Sequence, residues 1–316
     1  MLLKINNCIL IPIIFLVIFH PVTMRSQEMS GITTGDYAGV NAAYINPASL
    51  PFSKYYLDIN LLSVGIFHEN NFIYQSSEDY SFLNFFKKGY VLPGHTSEYA
   101  IGERPFYTRE HSMNMAHTNL KITGPSAMFV YGRFAFAVNT AFRTMAIVRD
   151  IPKDIANFIY YGLEYTPQYN IQYNHSKDYH FATMAWTEIG FGLSYIVKQR
   201  YYEQISVGIS PKVILGHAGS YFNSNQTEYN VPNGHDIDIT HMDAEMGYSL
   251  PVDYKTNDIF YGDAVKGYGM SFDLGFVYRK TENIVSDKKD SKPCKKQYDQ
   301  YKYSIGVSIL DLGYTK

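Results

Sequence analysis

"TEIGFGLSYIV" (187–197) sets Ile189, Phe191, Leu193, Tyr195 and Val197 against Glu188, Gly190, Gly192 and Ser194. Successive side chains of a strand point to opposite faces, so this stretch has one face of large hydrophobes and one of small or polar groups. The pattern recurs. "QISVGISPKVIL" (204–215) opposes Ile205, Val207, Ile209, Val213 and Leu215 to Ser206, Gly208, Ser210 and Lys212. "RFAFAVNTAFR" (133–143) opposes Phe134, Phe136, Val138 and Phe142 to Arg133, Ala135, Ala137, Asn139 and Arg143. "GYGMSFDLGFVYR" (267–279) and "YKYSIGVSIL" (301–310) repeat it, the former with Asp273 among its small residues. Period-two alternation from residue 54 onward predicts an all-β chain.

The length of the runs decides between two all-β classes. Soluble strands usually hold about 5–6 residues, whereas a tilted membrane-spanning strand takes about 9–11. A soluble sandwich also alternates, but its exposed face normally carries many charged and hydroxyl residues rather than repeated glycine. A closed lumen accepts small and polar side chains while lipid requires the apolar face. The reading is therefore a transmembrane antiparallel β-barrel, with the lipid bilayer as its first partner.

The bulk numbers agree. The 316 residues carry a formal charge of −2, which excludes a strongly basic surface and with it nucleic acid. Thirty Tyr and 20 Phe suit half-wet surfaces, since a tyrosine ring favours hydrocarbon and its hydroxyl favours water. Lys4 followed by "CILIPIIFLVIFH" (8–20) has the basic start and short apolar core of a signal peptide, too short for a spanning helix. Residues 1–26 are read as that peptide, cleaved near "MRSQE", and the location as the bacterial outer membrane. Cys8 leaves with it, so Cys294, in the basic stretch "KKDSKPCKKQ", has no internal disulfide partner and reads as an exposed incidental thiol.

About eight strands are expected, near 54–67, 117–131, 133–147, 182–197, 204–217, 237–249, 267–279 and 301–314, with Gly124-Pro125 breaking the phase of the second. The links "YGRF" and "KQRYYE" are short, and 67–116, 149–180, 219–236 and 280–300 are long and polar, as periplasmic turns and extracellular loops would be. "PKDIANFIYYGLEY" (152–165) predicts a helix opened by Pro152 inside one long loop. The chain ends at "DLGYTK", a poor last strand for such a barrel. Eight strands close only a barrel filled by side chains. The many glycines on the inner face point to something wider, of which this chain is a part or a shortened form.

Little of the sequence carries chemistry. "GHDIDITHMDAE" (234–245) gathers His235, Asp236, Asp238, His241, Asp243 and Glu245, but alternation splits them between faces and no known ligand spacing is present. It reads as a solvated loop descending into a strand. His175 and His180 flank Asp178 in a long loop without a ligand pattern. No nucleophile elbow or phosphate loop occurs, so no catalytic residue, metal or cofactor is assigned and the chain is not read as an enzyme.

Ahead of the first strand, Asn46-Pro47-Ala48 lies in "AAYINPASL" (42–50), where Pro47 fixes φ, Asn46 can bond backbone groups in a turn, and alanines permit close approach. "YAGVNAAYINPASL" (37–50) followed by "KYYLDINLLSVGIF" (54–67), with "GYGMSFDLGFVYR" and "KYSIGVSILDLGY", resembles a family of Bacteroidota outer-membrane barrels of unassigned function. More distantly, a small-residue stretch ending in Asn-Pro-Ala before the first strand is similar to the long-chain fatty acid transporter superfamily. By that resemblance residues 27–52 form an N-terminal hatch with Asn46, Pro47 and Ala48 as its turn, and 53–316 belong to a barrel of roughly 14 strands.

Two functions follow as expectations: passage of a small lipophilic molecule through a plugged barrel, or a non-transporting subunit that docks other envelope proteins. Arg133, Arg143, Glu188, Lys212 and Asp273 are the candidates for lining the lumen, either along a path or as a static ion network.

Overall fold

The computed structural model describes residues 33–75, 87, 95–96, 103–104, 106–109, 111–200, 202–253, 258–259, 263–282 and 301–316. The expected signal peptide, residues 27–32 of the expected hatch, and Cys294 lie outside them. The rest is dominated by one antiparallel sheet of eleven strands. They are β1 Leu57–Asn60, β2 Ser63–Asn70, β3 Met113–Thr123, β4 Ser126–Tyr131, β5 Phe134–Pro152, β6 Gln172–His175, β7 Tyr179–Arg200, β8 Glu203–Asn230, β9 Asp238–Ser249, β10 Gly267–Thr281 and β11 Tyr301–Thr315.

These strands form seven rungs, because four rungs are broken in two. β1 and β2 continue one another along β4 and β3. β3 and β4 are separated by Gly124-Pro125, where Pro125 has no N–H to give the ladder. Ser126 and Thr140 side chains bond the freed backbone groups there. β6 and β7 both follow β8. β9 pairs with the far half of β8 and β10 with its near half, so the two expected strands 237–249 and 267–279 are halves of one rung. Alternation alone could not join them, since 17 residues intervene (250–266).

That merger moves a link. Gly132–Arg133 and Tyr202 turn at one end of the sheet, and Lys280 pairs with both Glu203 and Tyr303 at that same end. Thr281 and Tyr301, the two ends of the stretch expected as the long loop 280–300, therefore both lie at the turn end. At the opposite end the strands run well past their apolar sections. β8 has 28 residues, roughly 90 Å at 3.3 Å each, and residues 219–230, expected as loop, continue it. In the loop that remains, Lys153–Tyr161 forms helix α1 as expected, preceded by Pro152 and ended by Gly162 at φ 81°.

Two six-residue 3-10 helices, Gly39–Tyr44 and Pro47–Phe52, lie against one face of the sheet, hereafter the inner face. Five residues of each are buried, and the second touches β4, β5, β7, β8, β10 and β11. One flat face cannot bury a helix all round, so the sheet curls about it. Among the described residues β1 and β2 do not pair with β11, and the wall stays open.

The outer face is bare over its turn-end half. Ile66 is 73% exposed, Tyr131 68% and Val307 63%, with Phe136, Phe191, Ile209 and Leu274 also exposed between them.

Candidate functional site

The inner face is layered. Nearest the turn end lies the 39–52 segment, which glycine and serine let approach the strands. Asn46 precedes the second 3-10 helix in extended conformation, and its Oδ1 accepts the Ala48 N–H at 2.9 Å. Pro47 then occupies the first helical position, where its missing N–H costs nothing. Asn46 Nδ2 donates to the carbonyls of Phe276 on β10 at 3.2 Å and Val307 on β11 at 3.3 Å. One amide thus caps a helix and grips two adjacent strands. Ser194 Oγ donates to the Pro47 carbonyl, and Tyr44 Oη to the Thr140 carbonyl at 3.2 Å. The contact is so close that a Cβ on Gly208 would stand 2.5 Å from the Ala48 nitrogen, and one on Gly275 2.8 Å from it.

Both flanks are fastened as well. Val40 N–H donates to Asp58 Oδ2 at 2.8 Å. Asp36 Oδ1 pairs with Arg279 Nη2 at 2.7 Å, whose guanidinium also lies 4.3 Å from the Phe52 ring and 4.5 Å from that of Tyr301.

Above this segment runs a charged row. Lys212 Nζ, 4% exposed, lies 2.7 Å from Asp273 Oδ2 and 2.7 Å from Asp311 Oδ1, and the Asp311 N–H donates to Asp273 Oδ1 at 2.8 Å. Arg143 Nη1 is 3.2 Å from Glu188 Oε1, which also accepts Trp186 Nε1–H at 2.7 Å. Lys121 Nζ rests 3.8 Å from the centre of the Tyr44 ring. The structure therefore brings together four of the five sequence candidates, Arg143, Glu188, Lys212 and Asp273. Arg133 stands apart in the Gly132–Arg133 turn, where its carbonyl accepts the Ile196 N–H at 2.9 Å.

Alternation missed Asp311 for a definite reason. β11 carries a bulge between its pairings Ile309↔Leu274 and Leu312↔Phe272, so two residues oppose Asp273 and the faces exchange. Asp311 sits there at φ 55° and turns inward, although its odd number groups it with the outer residues Ile305, Val307 and Ile309. An aspartate interrupting an apolar alternation is the one sequence sign, because Asp tolerates the left-handed region better than most residues.

Farther toward the loop end the inner face becomes apolar. Met145, Ile147, Ala182, Met184, Tyr221 and Gly247 line an open groove of about 620 Å³ just beyond Trp186. Just beyond this level part of the outer face is covered instead. Ile151, Ala156 and Tyr179 are buried with Val148, Ile155, Phe72 and Phe222 against them beneath α1. Asp154 at the start of α1 fastens this cover, its Oδ2 meeting His175 Nε2 and Tyr229 Oη, each at 2.6 Å. His175 thus belongs to a clamp.

The acidic stretch 234–245 takes no part in it. Asn233 Oδ1 accepts the N–H groups of His235 and Asp236, and β9 beyond is exposed over nearly all its length. Among the described residues no three His, Cys, Asp or Glu side chains gather closely enough to hold a metal ion.

One curled antiparallel sheet with an N-terminal segment held on its inner face defines an all-β protein of a single architectural layer. The chain belongs to a family of unknown function, DUF5723, whose model matches residues 47–316 and so begins within the buried Asn46-Pro47-Ala48 turn. No curated protein and no solved structure matches it.

Proposed function

We propose that the sheet is part of the wall of a transmembrane β-barrel in the bacterial outer membrane, exported by the leader 1–26 and plugged by residues 39–52, and that the barrel passes a small lipophilic molecule. The supporting observation is that the outer face is treated in two ways. At the loop end Ile151, Tyr179, Val148 and Phe222 lie beneath α1, although Met246 and Tyr248 on β9 stay exposed; toward the turns, Phe, Leu, Ile and Val stand uncovered on every rung. A protein wholly in water would cover both, whereas a bilayer supplies the second cover. From Tyr268 to Tyr278 the outer face of β10 runs about 33 Å along the strand, or about 25 Å of depth at a tilt near 40°, the height of a lipid-facing band. Tyrosines mark both margins, Tyr131, Tyr278 and Tyr303 at one and Tyr268 and Tyr314 at the other.

The two edge rungs run in the same direction. Antiparallel closure then takes an odd number of further rungs, whichever chain supplies them, and seven more give the roughly 14 strands of the resemblance. The test is purification from outer membranes and reconstitution. A heat-modifiable gel band with uptake of a lipophilic tracer into liposomes supports the reading, and a water-soluble protein that never inserts refutes it.

The anchoring of the 39–52 segment at both flanks and across two strands favours a second reading, a non-transporting subunit that docks other envelope proteins. An inserted protein with no flux and a stoichiometric protein partner selects it.

A further inference from the structure

The groove on the inner face has no packing role among the described residues. Met145 remains 37% exposed and Tyr221 39%, although they point away from the proposed lipid side, where exposed apolar groups need no partner. Elsewhere the apolar side chains of the inner face, Met128, Val130, Ala135, Ala137 and Val277 among them, are buried beneath the 39–52 segment, and the row between carries glycine, serine and charge. An apolar band left uncovered on the inner side, with a volume inside the range of small-molecule sites, has the form of a binding surface.

Charge decides what it takes. The row below holds three cations, Lys121, Arg143 and Lys212, and three carboxylates, Glu188, Asp273 and Asp311. Four of these six are held in ion pairs at 2.7–3.2 Å with one another, Asp311 shares the Lys212 ammonium, and Lys121 lies on an aromatic ring. At the other rim the register places Arg149, His180, Asn223 and Glu245 on the inner face, again one fixed cation and one carboxylate. His180 Nδ1 lies 3.0 Å from Asn223 Oδ1, and Glu245 already accepts the Tyr221 hydroxyl at 2.7 Å. By count neither rim has more fixed cations than carboxylates, and an anion there would face Glu188 or Glu245. Two methionines give the walls an adaptable, polarizable surface.

We infer that this groove binds an uncharged lipophile, an alcohol, ester or hydrocarbon rather than a free fatty acid. The inference rests on the barrel reading and names the class of molecule that the barrel passes.

The chain supplies its own reporter. Trp186 is the single tryptophan of the sequence and stands two residues from Met184 on the same face. The full-length protein, reconstituted in nanodiscs of unbrominated lipid, is titrated with a dibrominated long-chain alcohol and with the carboxylate of equal length. Bromine quenches a nearby indole. Saturable quenching of Trp186 by the alcohol, at least tenfold tighter than by the carboxylate, is the expected result. It should be lost in Met184→Glu and kept in Met184→Leu, with both variants showing the heat-modifiable band of the parent. Equal or tighter binding of the carboxylate overturns the assignment, as does alcohol quenching that never saturates or that survives Met184→Glu. A chain that does not enter nanodiscs fails earlier and refutes the barrel reading instead, so the two failures are told apart.

Discussion

Phe181 and Phe191 lie ten residues apart on one face of one strand, yet their surroundings differ. Phe181 is itself 37% exposed, but its neighbours Val148, Phe222 and Tyr179 pack beneath α1, which is clamped through Asp154. Around Phe191, 51% exposed, the outer face carries Val138 and Leu193, over which no described residue packs. The residue types are alike and the strand geometry is continuous, so neither accounts for the difference. On the proposed barrel reading, the solvent at each level does. Apolar surface left in water costs on the order of 25 cal/mol per Å², which justifies a helix over the first region, and costs nothing in hydrocarbon, which makes a roof over the second unnecessary.

The largest effect expected is a charge placed in the bare region. Phe191→Arg should lower the stability of the inserted protein by about 2–4 kcal/mol, as for arginine at the midplane of a barrel, read from urea unfolding in vesicles. The same change at Phe181, near the roofed level, should cost clearly less. Equal costs would remove the distinction between the two regions.

Next comes the inner face, which at the bare level is covered by protein. Gly208→Val has no room beside Ala48 and should cost about 1–3 kcal/mol while exposing residues 39–52 to protease. Gly216→Val on the same strand meets its nearest atom only at 3.6 Å and should leave the segment protected. Cleavage in both variants, or in neither, would show that the segment is not held as described.

The roof itself is then tested. Asp154→Ala removes the carboxylate that two partners share and should loosen α1 by about 2 kcal/mol, seen as faster amide exchange over 153–161 with the lower strands unchanged. The smallest effect is alkaline. Burial, and after it the Asp154 carboxylate, pushes the Tyr229 and Tyr173 hydroxyls above their ordinary value of 10. Both are more easily ionised unfolded than folded. The stability they lend is therefore complete below about pH 10 and is lost as pH rises above it. Release of α1 should begin there and be absent or weaker in Tyr229→Phe. A profile flat to pH 12 would contradict the burial of this hydroxyl.

Legibility from sequence tracked environment in the same way. Residues 187–197 and 204–215 were readable because one face packs beneath the 39–52 segment and the other stays bare, and that contrast is what alternation records. Residues 219–230 continue the same strand, but their mixture "GSYFNSNQTEYN" has polar groups on both faces and looks like loop. Arg143, Glu188, Lys212 and Asp273 were found because a charge opposite hydrophobes stands out. Arg133 obeys the same rule but stands apart from them, in the turn before the strand begins. The groove was invisible, as Met145, Met184 and Tyr221 lie on three strands and only pairing brings them together.

By itself the sequence determined the all-β class, the apolar outer and small inner faces, and the Asn46-Pro47-Ala48 turn, because each depends on side chains within a few residues of one another. Tertiary structure alone decided that two runs form one rung, that Asn46 grips strands 230 and 261 residues away, and that a bulge turns Asp311 inward. Those depend on register between strands, which is a property of pairs of segments and is written in neither one.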